Sequence, residues 1–98
     1  MNIEATELNN RLSTGEAIKI LDVRESLEFH TFNIGGLNLP LGRIREPEDL
    51  DFEPEDEIIV ICQRGIRSRT ACKLLEDMGF TNTKNLTGGL LALRRLNS

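Results

Sequence analysis

With 98 residues, the chain is long enough for one domain with one core and too short for two ordinary ones. A hydrophobic share of 39% and a charged share of 29% are those of a globular protein and exclude disordered and fibrous classes. The net charge of -4 disfavours nucleic acid as a partner, no apolar run approaches bilayer length, and the opening MNIEATEL lacks the basic start and apolar stretch of a signal peptide, so a cytoplasmic protein with no membrane partner is expected.

Residues 5–12 carry Leu8 and Leu12 four apart among polar residues, with Gly15 following as a stop, which predicts a short helix. Residues 17–23, with Ile18, Ile20, Leu21 and Val23, form a largely apolar, β-branched run and predict a strand. In residues 25–32, Leu27, Phe29 and Phe32 fit one or two helical turns before the Gly35-Gly36 break. Leu37-Asn38-Leu39 alternates and is closed by Pro40, a short strand. Residues 46–57 hold eight of the sixteen acidic side chains together with Pro47 and Pro54, which predicts a surface connection.

The clearest strand is residues 57–61, because Ile58-Ile59-Val60-Ile61 is apolar on both faces and suits a central, doubly covered position. Residues 68–78 then read as a helix: Ala71, Cys72, Leu75 and Met78 share a face, and Gly79 is placed to cap its end. Residues 83–86 predict a last short strand. A final helix starts at Thr87 or Gly88, with Leu90, Leu91, Leu93 and Leu96 as its apolar stripe. Strands alternating with helices predict an α/β fold, a small, mostly parallel sheet with helices on both faces.

In such a fold, ligands bind at the carboxyl ends of the strands. Cys62 stands at that end of the clearest strand and is followed by Gln63, Arg64, Gly65, Ile66, Arg67 and Ser68. A free thiol is mostly protonated at neutral pH, and it reacts as the thiolate. Backbone amides curled around the sulfur, the positive end of the following helix and Arg64, Arg67 and Arg69 all favour that anion. Gly65 permits the backbone angles that aim the amides inward. Charge is distributed to match: residues 1–62 carry 5 basic and 14 acidic side chains, and residues 63–98 carry 7 and 2. Cys62 is therefore read as an activated nucleophile, and Cys72, on the apolar face of its helix, as core. Two cysteines are too few for a disulfide framework, and with one histidine, His30, and no paired cysteines a metal site is not expected.

These blocks give the chain a specific resemblance. From Leu21-Asp22-Val23-Arg24 with Glu28-Phe29, through Ile34-Gly35 and Asn38-Leu39-Pro40, to the seven residues from Cys62 to Ser68 and Gly88-Gly89, it resembles the single-domain rhodanese-like sulfurtransferases. The resemblance implies the three-layer rhodanese-like fold over residues 1–98, no cofactor, and a Cys62 persulfide. The cysteine would take a sulfane sulfur from a small anionic donor such as thiosulfate and pass it to cyanide, a thiol or a protein. The amides of residues 63–68 would hold the outer sulfur. Asp22 and Arg24 would brace the site, Arg67 would pair with a carboxylate, and Arg64 would face the substrate. The plain alternative for Asp22 and Arg24 is a surface ion pair. The sequence departs from the family pattern at Phe32-Asn33-Ile34, where Gly-His-Ile is usual, and at Leu93, where an aromatic residue is common.

Two other functions compete. Cysteine-dependent phosphatases and arsenate reductases pair the cysteine with arginine at Cys-x5-Arg, whereas Arg67 gives Cys-x4-Arg and leaves room for a sulfur more readily than for a tetrahedral oxyanion. The other is a non-catalytic or regulatory binding module, or a sulfur carrier dedicated to one protein partner, since a shallow, open site suits a docking protein at least as well as a small molecule. With no apolar stripe left over after the core is assigned, a monomer is expected.

Overall fold

The computed structural model describes residues 1–97. Five strands, β1 (Asn2–Ile3), β2 (Lys19–Asp22), β3 (Leu37–Asn38), β4 (Ile58–Ile61) and β5 (Thr83–Leu86), form one parallel sheet in the order β1-β5-β4-β2-β3. Every pairing is parallel, with β4 between Lys19–Asp22 on one side and β5 on the other. The helices are α1 (Ala5–Ser13), α2 (Ser26–Thr31), α3 (Ile66–Asp77) and α4 (Gly89–Leu96), with two short 3-10 turns at Leu41–Arg43 and Pro47–Asp49.

The apolar run of β4 is resolved by the pleat into two cores. Ile58 and Val60 point to one face, where they meet Leu21, Val23, Ile44, Leu50 and the Ala71, Cys72 and Leu75 face of α3. Ile59 and Ile61 point to the other, among Ile3, Leu8, Ile20, Leu86, Leu90 and Leu93, where α1 and α4 pack. All four β4 side chains are fully buried. Each stabilises the fold by roughly 1.5–3 kcal/mol of transfer free energy relative to exposure. The three layers are thus α1 with α4, the sheet, and α3.

Each element expected from the sequence is present, with most boundaries moved by one or two residues and one strand added, and Leu96, expected in the apolar stripe of the last helix, is 45% exposed. The strand expected over residues 17–23 starts at Lys19. β1 was not foreseen, because two residues have no period; it exists by pairing Asn2 and Ile3 with Asn85 and Leu86. The helix expected from Ser68 starts at Ile66, since Gly65 caps it in the left-handed region at φ 91°. Ile66, Arg67 and Ser68 therefore lie in the first helical turn and not in a loop. Among the described residues, no helix is long and apolar enough to cross a membrane.

The parallel arrangement puts the two chemically distinct ends of β4 far apart. At its amino end, Glu57 takes hydrogen bonds from Arg11 and from Lys84, the latter at 2.6 Å, and Asp56 pairs with Lys19 at 3.0 Å. The Arg11 guanidinium and then Lys84 hold the Glu57 carboxyl down at about 2. The acidic segment is thereby partly neutralised from within and lies away from Cys62, at the carboxyl end.

Candidate active site

Cys62 follows β4 directly and is 1% exposed. Residues 63–65 turn the chain into α3, and the turn points its amides at the sulfur. Gly65 N–H donates to Cys62 Sγ at 3.1 Å and Ser68 N–H at 3.3 Å, and the Ser68 hydroxyl oxygen lies 3.3 Å from the same sulfur. The first amides of a helix have no partner within it, so the sulfur occupies an anion position at the positive end of a 12-residue helix. Burial is the strongest single influence on the thiol and pushes it up. The Ser68 hydroxyl and the amides of Ser68, Arg64 and Gly65 outweigh it together, and Cys62 lies below the ordinary thiol value.

The turn is held from behind by α4. Leu90 N–H donates to the Cys62 carbonyl at 2.9 Å and Leu91 N–H to that of Gln63 at 3.1 Å. Gly89 makes this approach possible: a Cβ there would lie 2.6 Å from the Arg64 nitrogen and against the Gln63 backbone. Gly65 is under the same constraint, because a side chain there would need φ 91° and would press on Gly88 N and Leu86 O at 3.1 Å. Glycines 24 positions apart thus share one close contact between backbones.

Asp22 and Arg24 do not form a surface pair. They are 0% and 3% exposed, and the guanidinium forks onto the carboxylate at 3.0 and 2.8 Å. Arg24 also donates to the carbonyls of Phe32 at 2.7 Å and Glu28 at 3.4 Å, so the pair fixes the far end of α2. Asn38 Nδ2 closes the cluster from β3 by donating to the carbonyls of Asp22 and Arg24, each at 3.0 Å. A buried pair this well supplied with partners avoids the penalty of an uncompensated charge.

Arg67 finds its carboxylate in Glu28, in a two-pronged contact at 2.7 and 3.0 Å. This links the first turn of α3 to α2, and through Arg24 to β2. The Arg67 guanidinium holds the Glu28 carboxyl down at about 2. Arg64 is exposed and lines a recess of about 190 Å³ with Cys62, Gln63, Ile66 and Arg67. Gln63 joins this to a wider recess of about 480 Å³ bounded by Arg24, Leu27, Glu28, Thr31, Phe32 and Arg94. The Arg94 guanidinium lies 4.1 Å from the centre of the Phe32 ring. Phe32 and Leu93, two of the residues that depart from the family pattern, both pack in the core face shared by α1 and α4.

Arg69 belongs elsewhere. It is exposed and borders a separate recess with Met1, Asn2 and Lys73, so the three arginines read as one cluster divide into two that line the sulfur recess and one that does not. His30 is exposed on α2. Among the described residues no group of three His, Cys, Asp or Glu could hold a metal ion. Leu27, 78% exposed, lines the wider recess and Ile66, 62% exposed, the sulfur recess; Ile66 was expected in the substrate loop, whereas Leu27 was expected only in a helical turn. The sequence reading missed Asn85, whose side chain touches Ser68 and Gly65 from β5.

The family model for the rhodanese-like domain matches residues 4–95. A protein named sulfurtransferase from Allochromatium vinosum is 32% identical over 95 residues, covering 95% of this chain and 87% of its own length. YrkF of Bacillus subtilis, a protein named as a sulfur carrier, is 30% identical over 89 residues; the match covers 90% of this chain but only about half, 48%, of YrkF. Among solved structures, the human single-domain sulfurtransferase TSTD1 superimposes with a TM-score of 0.83 at 25% identity, over 99% of this chain and 97% of the other.

Proposed function

The chain belongs to the rhodanese-like domain family, and from that premise we propose that residues 1–98 make one such domain, a sulfurtransferase that carries sulfane sulfur on Cys62. The Cys62 thiolate attacks the outer sulfur of a small anionic donor such as thiosulfate. A bond forms between the two sulfurs, the donor's own S–S bond breaks, and sulfite leaves with the bonding pair. A thiophilic acceptor, cyanide or a thiol, then attacks the outer sulfur of the persulfide, and Cys62 departs as the thiolate that began the cycle. The cycle calls for no cofactor.

One observation carries this reading: Cys62 Sγ sits under the Gly65 and Ser68 amides at the start of α3. Donors fixed in place cost no reorganisation when the negative charge moves from one sulfur to the next. Gln63, Arg64 and Gly65 of the turn, with Ile66, Arg67 and Ser68 of the first turn of α3, make up the substrate-binding segment, with Arg64 the cation open to an incoming anion. Asp22 and Arg24 support it through α2. The phosphatase alternative fares worse, because the Arg67 guanidinium is already forked onto the Glu28 carboxylate. Free thiols at Cys62 and Cys72 fit a reducing compartment such as the cytoplasm.

A partner-dedicated carrier is the second reading, favoured by the exposed Leu27 and Ile66 beside a shallow recess. Apolar side chains at the rim suit the surface of a protein donor or acceptor better than a small anion. Intact-mass spectrometry after incubation with thiosulfate, beside a Cys62→Ser variant, tests the first reading. The expected result is a gain of one sulfur by the parent alone, removed by cyanide. Uptake only from a protein persulfide selects the carrier, and uptake from neither source sinks both.

A further inference from the structure

Asn85 lies on β5 beside Val60 of β4 and is 7% exposed. Its Nδ2 donates to the Gly65 carbonyl at 3.2 Å, and its Oδ1 accepts from the Ser68 hydroxyl. A peptide carbonyl can only accept, so the group facing Gly65 must be the NH2, and the amide cannot be turned over. A carboxamide oxygen can also only accept, which puts the single Ser68 hydroxyl hydrogen on Asn85. The same Ser68 oxygen is 3.3 Å from Cys62 Sγ. With its hydrogen on Asn85, it offers the sulfur a lone pair, which suits S–H; the hydroxyl holds the thiol down only when that hydrogen turns to the sulfur.

We propose that Asn85 is a positioning residue that competes with Cys62 for the Ser68 hydrogen and so sets how readily the thiol ionises, a role that rests on Cys62 being the nucleophile. In the protonated site, Cys62 S–H donates to Ser68 Oγ and Ser68 O–H donates to Asn85 Oδ1. On ionisation the sulfur proton leaves to solvent and the Ser68 O–H rotates from Asn85 to the sulfur; no other proton moves. Asn85 Oδ1 is then left buried without its donor, which costs free energy and opposes the bare thiolate. Once Cys62 carries a second sulfur the charge lies on the outer atom, and the Ser68 hydrogen can return to Asn85. The arrangement favours the loaded cysteine over the empty thiolate.

The Asn85 side chain bonds Ser68 and Gly65 and not the charged groups around the site. Arg64 and Arg67 line the recess, Glu28 of α2 neutralises Arg67, and Asp22 and Arg24 neutralise each other at the end of β2. From α4 come backbone amides to the turn. Arg69, Lys73 and Glu76 border the separate recess that Asn85 also lines.

The test is the pH profile of Cys62 alkylation by iodoacetamide in the full chain. Trypsin cleavage after Arg64 and Arg69 puts the two cysteines on separate peptides. Asn85→Ala is expected to lower the inflection by about one pH unit, close to tenfold in rate below it, the scale of one hydrogen bond to a charged group. Asn85→Leu, which keeps the volume, is expected to do the same and serves if the alanine variant does not fold. In a Ser68→Ala background neither change should shift the profile, since no hydrogen remains to compete for. An inflection that stays or rises in both variants, or one that falls equally with and without Ser68, overturns the proposal. Alkylation needs no sulfur donor, so these shifts in a protein that takes no sulfur from any donor would refute the sulfurtransferase reading and leave the Asn85 role standing.

Discussion

Cys62 and Cys72 are both free thiols and both buried, at 1% and 5% exposure, and they meet in the same core. Their chemistry diverges all the same. Burial pushes each thiol up, and at Cys72 it prevails, raising the thiol above its ordinary value. At Cys62 the same influence is outweighed by the Ser68 hydroxyl and three amides of the turn. The difference lies in the backbone: Cys72 sits within α3, where amides are committed to helical hydrogen bonds, while Cys62 faces the first turn, where they are not. A buried cysteine is reactive or inert according to whether free donors converge on it, and depth alone does not decide.

The sharpest test of that contrast is substitution of each cysteine in turn. Cys62→Ser should abolish sulfur uptake from thiosulfate, and Cys72→Ser should retain it, as read by intact mass. Uptake lost in both would mean that the two thiols act together.

Asp22→Ala is the next largest, since it leaves Arg24 charged and unpaired in the interior. The expected cost is about 3–5 kcal/mol of stability, measured by urea unfolding. A loss under about 1 kcal/mol would mean that Arg24 finds water and that the pair braces nothing.

Gly89→Ala should narrow the gap between the cysteines from the Cys62 side. The new methyl group meets the backbone of Gln63 and Arg64, so the turn must shift and its amides lose their aim. Overpacking of this kind costs about 1–3 kcal/mol. Persulfide formation should slow by roughly tenfold or more, because misplacement on the ångström scale is enough. Cys72 alkylation should be unchanged, and an unaffected Cys62 would show that α4 does not hold the turn.

Without any substitution, the alkylation profiles of the two thiols should separate across pH. Cys62 should reach its inflection below the ordinary 9.0 and Cys72 above it. Coincident profiles would break the comparison outright.

Smallest is the contribution of the Glu28–Arg67 contact. The Glu28 carboxyl falls from 4.5 to about 2 because of Arg67, so its stabilisation is fully present above pH 4.5 and is lost as pH falls toward 2. Both side chains are about a third exposed, at 36% and 37%, so the effect should not exceed about 1 kcal/mol. Urea unfolding of Glu28→Gln should differ from the parent at pH 7 and converge with it near pH 2. A gap that persists there would assign the loss to packing.

What the sequence determined by itself is what nearest neighbours determine. The unbroken Ile58-Ile59-Val60-Ile61, the spacing of Ala71, Cys72 and Leu75, and Gly65 after the cysteine are local signals, and they located the central strand, the helix behind it and the turn. The tertiary structure alone decided which distant residues meet at the sulfur. Asn85 reaches Ser68 because β5 lies beside β4 with Asn85 opposite Val60. Glu28 reaches Arg67 because Arg24, buried with Asp22, ties down the end of α2. Arg69, two residues after Arg67, opens onto a different recess because α3 begins at Ile66. Strand order and helix phase are set by how the whole apolar surface is buried, and they leave no pattern in the few residues around any one of these side chains.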